Sequence, residues 1–211
     1  MVMKTITRVL LVAGLAFGMS SAAMAAKHGK KKMGPKTLMG ASGLALSNTC
    51  AGCHGIDGAS GGPGIPSIGG LSEAYLVEMM KDYKSGADPS TIMSRIAKGY
   101  NDDEVKKIAK FFASKKFTPA KQKFDAAKAA KGAKLHEKNC EKCHEDGGTV
   151  VSDDTGRLAG QWSFYFNRTM GEYISGKREM TRKMKKKVMK LHTKGGDAAF
   201  DELANYYASQ Q

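Results

Sequence analysis

Acidic residues are scarce in this chain: 20 Asp and Glu stand against 34 Lys and Arg, a formal charge of +14 over 211 residues. Such an imbalance bears on partners and solubility, not on fold. Cysteine is scarcer still, at four residues. Strand signals, short alternating runs rich in β-branched residues, are few, which leaves helix as the main element. Beyond Met19 no apolar stretch is long enough to cross a bilayer, so no stable membrane span is expected in the body of the protein. The one apolar run, Val9 to Met19, follows Lys4 and Arg8 and leads to Ala23-Met24-Ala25. That order of charge, apolar core and small-residue site reads residues 1–25 as a cleaved secretory leader.

What is present is one pentapeptide used twice: Cys50-Ala51-Gly52-Cys53-His54 and Cys140-Glu141-Lys142-Cys143-His144. Cys-x-x-Cys-His is the attachment signal for haem c. The two thiols add to the two vinyl groups, and the adjoining His reaches the iron as its proximal ligand. All four cysteines fall in these motifs, so Cys50, Cys53, Cys140 and Cys143 predict two covalently bound haem c groups, with His54 and His144 on the irons. A single zinc ion on four cysteines leaves the His after each pair without a purpose. Haem c is attached outside the cytoplasm, which agrees with export and a periplasmic location. An exported protein meets no nucleic acid, so the excess of positive charge points instead to acidic protein patches or an anionic membrane surface.

A shift of ninety positions carries the first motif onto the second, Gly70 onto Gly160, Tyr75 onto Tyr165, Met80 onto Met170, Tyr83 onto Tyr173 and Ser85-Gly86 onto Ser175-Gly176. The chain is therefore a tandem duplication. Residues 26–36 read as a basic flexible arm, 37–114 as the first domain, 115–126 (with Pro119) as a linker and 127–211 as the second domain. Leu76, Met79, Met80 and Tyr83 form one helical stripe, with Ser72 and Gly86 placed as caps. Val105, Ile108, Ala109 and Phe112 form another behind Asn101 and Glu104, spaced as a capping box. Phe200, Leu203, Ala204 and Tyr207 repeat it behind Asp197 after a shift of 95. The extra residues are expected in a loop at His192–Gly196. The fold class is all-α.

The far side of each iron needs a second ligand. Axial methionine raises the potential and suits electron transfer, whereas an open position suits ligand binding or catalysis. Met80 and Met170 fall within apolar stripes and read as core. Met93 lies past a helix end, in a segment free to fold over the first haem, and is the expected ligand there. For the second haem Met184 is expected, with Met180 as the alternative and Met189 behind both. His28, His136 and His192 are expected on the surface. The ring nitrogen of His54 is expected to donate to the Pro66 carbonyl, the arrangement that usually orients a metal-bound imidazole. In the second copy Gly156 is expected to keep the acceptor for His144 but without the stiffness of proline, so a looser His144 with a different haem potential is expected.

With both motifs in hand, the chain resembles the dihaem class I cytochromes, including cytochrome c4, and more narrowly the cytochrome subunit of flavocytochrome c sulfide dehydrogenase. The likeness is carried by Cys50–Gly55, Tyr75-Leu76-Val77-Glu78, Lys84-Ser85-Gly86, Ile92–Tyr100, Leu158–Trp162, Gly176-Lys177-Arg178 and Tyr206–Ser209. It implies two tandem class I cytochrome c domains and a periplasmic complex. In such a complex a FAD-bearing flavoprotein subunit oxidises sulfide, and electrons pass through the dihaem subunit to a small soluble acceptor cytochrome. FAD is expected only on the partner, and the chain itself is expected to carry no substrate chemistry. The alternatives are a free-standing cytochrome c4-like carrier serving a terminal oxidase, and, less compatible with the chain length, a haem enzyme such as a peroxidase. A haem-based sensor lacks an output domain.

Overall fold

A computed structural model describes residues 40–211. The expected leader, the basic arm and His28 lie outside the described residues. Among those described there is no strand, and the chain runs through eight helical segments. The first half holds α1 (Gly43–His54), α2 (Glu73–Ser85), the short α3 (Met93–Ile96) with a 3₁₀ turn over Ala97–Gly99, and α4 (Asp102–Ala113). The second holds α5 (Ala126–Asn139), the turn-like α6 (Glu145–Gly148), α7 (Ser163–Ile174) and α8 (Arg182–Ala208).

Local sequence accounts for most boundaries. Ser72 Oγ accepts from Tyr75 N at 3.2 Å, and Gly86 closes α2 in the left-handed conformation at φ 88°. Asn101 and Glu104 form the reciprocal capping box, both bonds at 2.9 Å. Behind it Val105, Ile108, Ala109 and Phe112 are buried. The stripe on α8, Phe200, Leu203, Ala204 and Tyr207, is likewise buried.

In each half the helix that enters the Cys motif crosses the last helix: α1 packs on α4, and α5 on α8. Glycine permits the close approach. A Cβ on Gly132 would lie 2.1 Å from the Glu202 carbonyl oxygen and 2.8 Å from Tyr206 Cβ; one on Gly43 would lie 3.0 Å from the Lys107 carbonyl. Backbone cannot yield as a side-chain tip can. Gly132→Ala is therefore expected to destabilise the protein by about 1–3 kcal/mol, as overpacking does, despite the better helix propensity of alanine. Denaturant unfolding measures it, and an unchanged midpoint would refute the crossing.

Two expectations are corrected here. The residues inserted in the second half do not form a loop at His192–Gly196. They extend α8, which is helical from Arg182 and interrupted only by Gly196 at φ 55°, ψ −153°. His136 is also not on the surface. It is 2% exposed, between the Tyr207 hydroxyl at 2.9 Å and Glu141 Oε2 at 2.5 Å.

The positions equivalent to His136 and Tyr207 in the first half are Leu46 and Phe112, both buried. One hydrogen-bonded pair thus replaces an apolar pair, and each half satisfies its own core. Glu141 also accepts from Asp146 N at 2.9 Å and Gly147 N at 3.2 Å. These bonds to His136 and the backbone hold its carboxyl below the usual range and brace a turn in which Asp146 and Gly147 have positive φ.

The halves meet through side chains to which the sequence assigned no contact, although Gln161, Trp162 and Arg178 fall in stretches that carry the family likeness. Ser67 N donates to Gln161 Oε1 at 3.0 Å, and Gln161 Nε2 returns a bond to the Ser67 carbonyl at 2.6 Å. Trp162 Nε1 donates to the Ser60 carbonyl at 3.2 Å. Arg178 donates from one terminal nitrogen to Asp88 at 2.5 Å and from Nε to Glu172 at 3.1 Å.

Candidate functional site

The first motif lies on the last turn of α1, so Cys50, Cys53 and His54 follow one another at i, i+3 and i+4 on one helical face. The second follows the end of α5: Cys140 is its C-cap, and Cys143 N and His144 N both donate back to the Cys140 carbonyl, at 3.0 and 2.9 Å. None of the four cysteines is in a disulfide. In both halves the first cysteine is half-buried and the second exposed.

Cys50, Cys53, His54 and Met93 all line one cavity of about 590 Å³. Its walls are mainly apolar, with Leu76, Val105, Ile108 and Phe112 among them. The α2 stripe predicted as core forms this wall too: Leu76, Met79, Met80 and Tyr83 line the cavity and are only half-buried. Met170, the counterpart of Met80, is buried in the second core as expected. Six residues of the second half, Gly156, Arg157, Gln161, Tyr165, Arg168 and Glu172, complete the lining.

The two histidines differ in their support. His54 Nδ1 donates to the Pro66 carbonyl at 2.9 Å, the contact expected from the sequence. Burial lowers the His54 pKa and that bond raises it in part, leaving a neutral ring whose other nitrogen can serve as a ligand. His144 Nδ1 is buried with no hydrogen-bond partner. The Gly156 carbonyl is near enough to raise its pKa slightly against burial and the field of His136, but outside hydrogen-bond geometry. Tyr75 of the first half crowds Gly156: a Cβ there would lie 2.7 Å from its hydroxyl. Burial first, then neighbouring tyrosines, push the Tyr75 phenol far up, so it stays protonated.

Met93 and Met184 occupy matching local positions. Met93 N donates to Ser90 Oγ at 3.0 Å, and Met184 N to Thr181 Oγ1 at 3.3 Å. Both methionines therefore sit three residues past a hydroxyl that accepts from their N–H, related by a shift of 91; Thr181 is also the N-cap of α8. Met184 packs against the second core, as Cys140 and Leu158 also do. Met180 precedes the Thr181 cap, outside α8.

An apolar chamber bearing two free thiols, a neutral imidazole and a thioether fits a flat, largely apolar, thiol-linked group. The orphaned Nδ1 of His144 shows that the second site is less fully satisfied by protein alone.

Residues 40–116 match the family model described as Cytochrome c. Cytochrome c-553 of Nitratidesulfovibrio vulgaris (strain DSM 19637 / Miyazaki F) is 31% identical over 116 residues, which are 53% of this chain and 98% of that protein. The chain belongs to the cytochrome c family. The cytochrome subunit of sulfide dehydrogenase of Chlorobaculum tepidum is 47% identical over 72 residues, 34% of this chain; the match spans 64% of that relative, less than two thirds of its length. The crystal structure of reduced recombinant cytochrome c4 from Pseudomonas stutzeri superposes with a TM-score of 0.70 at 26% identity, covering 80% of this cytochrome and 97% of that one. The all-α fold is thus that of two tandem class I cytochrome c domains, as the family resemblance implied. The cytochrome has the two Cys pairs expected of a dihaem electron-transfer protein.

Proposed function

We propose that this cytochrome is the electron-transfer subunit of a periplasmic flavoprotein complex. It would accept electrons from a FAD-bearing, sulfide-oxidising partner and pass them to a small external cytochrome. The observation that carries the electron-transfer reading is the gathering of Cys50, Cys53, His54 and Met93 around one apolar chamber. Bound haem c supplies a one-electron couple, and a His/Met ligand pair suits transfer rather than catalysis. Cys50 and Cys53, and Cys140 and Cys143, would hold the two groups covalently. His54 and Met93 would take the first iron, His144 and Met184 the second. Leu76, Met79 and Met80 keep water from the first site, and Pro66 orients His54. The likeness to the Chlorobaculum sulfide dehydrogenase subunit supports the choice of partner.

The test is native purification followed by sulfide addition. A flavin-containing polypeptide is expected to accompany the cytochrome, and sulfide to reduce its haems. A free-standing carrier is the second reading. It is favoured by the superposition of both halves on cytochrome c4, and a cytochrome that purifies alone and stays oxidised with sulfide would select it.

The unequal support of His54 and His144 has its own consequence. Donation to Pro66 makes the first imidazole the stronger base, which favours ferric iron and lowers that potential. Redox titration is expected to resolve two midpoints, the lower belonging to the first site. A single midpoint for both would count against it.

A further inference from the structure

The two attachment motifs are held in different ways. The first lies wholly on α1, whose backbone bonds run on to the one from Gly55 N to the Ala51 carbonyl at 2.9 Å. The second has no helix beneath it: α5 ends at Asn139, and residues 140–144 run through turns. Its His144 also lacks the carbonyl acceptor that His54 finds in Pro66. Two supports present at the first site are therefore missing at the second.

What replaces them converges on His136. Its carbonyl accepts from Cys140 N at 2.7 Å and from Glu141 N at 3.0 Å. Its Nε2 donates to Glu141 Oε2 at 2.5 Å, and Glu141 stands inside the motif, between the two cysteines. From there the carboxylate accepts from Asp146 N at 2.9 Å and Gly147 N at 3.2 Å, just past His144. His144 N itself donates to the Cys140 carbonyl at 2.9 Å. One carboxylate thus bridges from the first cysteine to the far side of the histidine, and one residue fixes both the bridge and the backbone from which it starts.

The turn under this bridge is shaped for it. Asp146, at φ 52°, is the one non-glycine residue with positive φ among those described, and Gly147 follows at φ 66°. Successive N–H groups in such a turn make a concavity for an anion, and the Glu141 carboxylate occupies it. Hydrogen bonds to an ionised acceptor are roughly twice as strong as neutral ones, which offsets the strain at Asp146. His136 is fixed in turn. The Tyr207 hydroxyl bonds its Nδ1 at 2.9 Å, and the Tyr206 ring flanks it at 5.4 Å between centroids. At the first site the counterparts of His136, Glu141 and Tyr207 are Leu46, Ala51 and Phe112, and no such bridge can form.

We infer that His136 and Glu141 are positioning residues of the second site. They seat the Cys140–His144 segment, and with it the His144 imidazole, in place of the helix and the proline carbonyl of the first. The inference rests on the haem reading above. It goes beyond core packing, because Leu46 and Phe112 fill the equivalent crossing with no polar bond to their motif. A misplaced imidazole binds iron less firmly, and ferric iron loses more by it, so removing the bridge raises the second potential.

The experiment is redox titration of the full dihaem chain, the second midpoint being the one that Met184→Ala displaces. E141A gives the second motif the alanine of the first. H136L/Y207F gives the crossing the apolar pair of the first half and leaves the Glu141 charge in place. E141Q removes that charge but keeps an acceptor for Asp146 N and Gly147 N. In E141A and H136L/Y207F the ratio of reduced second to reduced first haem at half reduction is expected to rise about tenfold, with the first midpoint unmoved, and in E141Q about threefold or less.

Loss of the second haem alone in E141A and H136L/Y207F, read by intact mass with both groups kept in E141Q, would support the inference equally. Equal shifts in E141Q and E141A with none in H136L/Y207F would reduce the effect to charge and overturn it. So would unchanged midpoints, whatever the melting temperature, since the network would then serve stability alone. A parent chain that carries no covalent group would instead sink the haem reading itself.

Discussion

Met184→Ala is expected to open the second haem to carbon monoxide and drop its potential by about a hundred millivolts or more, within the range that axial ligands command. Met180→Ala is expected to do neither. The contrast follows from the cap. Thr181 begins α8 and fixes Met184 three residues on, as Ser90 fixes Met93, whereas Met180 lies before the cap and outside the helix. Met184 is also held against the second core, so its loss removes a thioether that cannot be replaced by a neighbour without unwinding the start of α8. Carbon monoxide difference spectra on the two reduced variants decide the matter. Binding to M180A and not to M184A would reverse the assignment.

The second large effect concerns the join between the halves. Arg178→Leu is expected to destabilise the protein by about 3–5 kcal/mol, the usual cost of leaving one partner of a buried ion pair alone. That corresponds to a fall of about 6–20 °C in melting temperature for a chain of this size. Arg178 is 4% exposed and its partner Asp88 is also buried. Burial raises the Asp88 pKa, and Arg178 opposes that rise; without the guanidinium the carboxylate has nothing to offset its desolvation.

Asp88 and Arg178 are the same position of the repeat, ninety residues apart. Their backbones match too: Asp88 N donates to the Asp82 carbonyl at 3.3 Å, and Arg178 N to the Glu172 carbonyl at 3.1 Å. Had duplication kept one residue at both positions, two like charges would meet in a buried site. Because Asp82 is the counterpart of Glu172, the exchanged pair D88R/R178D places an arginine beside a carboxylate again. It is expected to recover about half or more of the stability lost in Arg178→Leu. A Tm for Arg178→Leu within a degree or two of the parent would show the pair to be dispensable.

Much of this was legible in the sequence where the relevant spacing is short. Cys50, Cys53 and His54 carry their chemistry within five residues, and the Asn101/Glu104 capping box within four. The Pro66 carbonyl was predictable because it lies only twelve residues from His54. Leu76, Met79, Met80 and Tyr83 were recognised as a stripe, but their role as cavity wall was not. Periodicity reports which face of a helix turns inward, and cannot distinguish a packed core from a chamber.

His136 was missed for a related reason. Histidine before a motif is ordinary on a surface, and its burial is made tolerable by Glu141 together with the hydroxyl of Tyr207, 71 residues away. The signal lay in the repeat: Leu46 and Phe112 change together to His136 and Tyr207. His192–Gly196 was misread because glycines suggest a break, while the helix formers around them continue α8 to Gly196 and resume after it.

By itself the sequence determined the two Cys-x-x-Cys-His motifs, their spacing and the duplication, since thiols, imidazole and repeat register are properties of neighbours along the chain. Only the tertiary structure decided that His144 lacks the acceptor His54 has and that Asp88 meets Arg178. Those outcomes depend on desolvation and on distances between groups far apart in the chain, and neither exists until the halves have folded against each other.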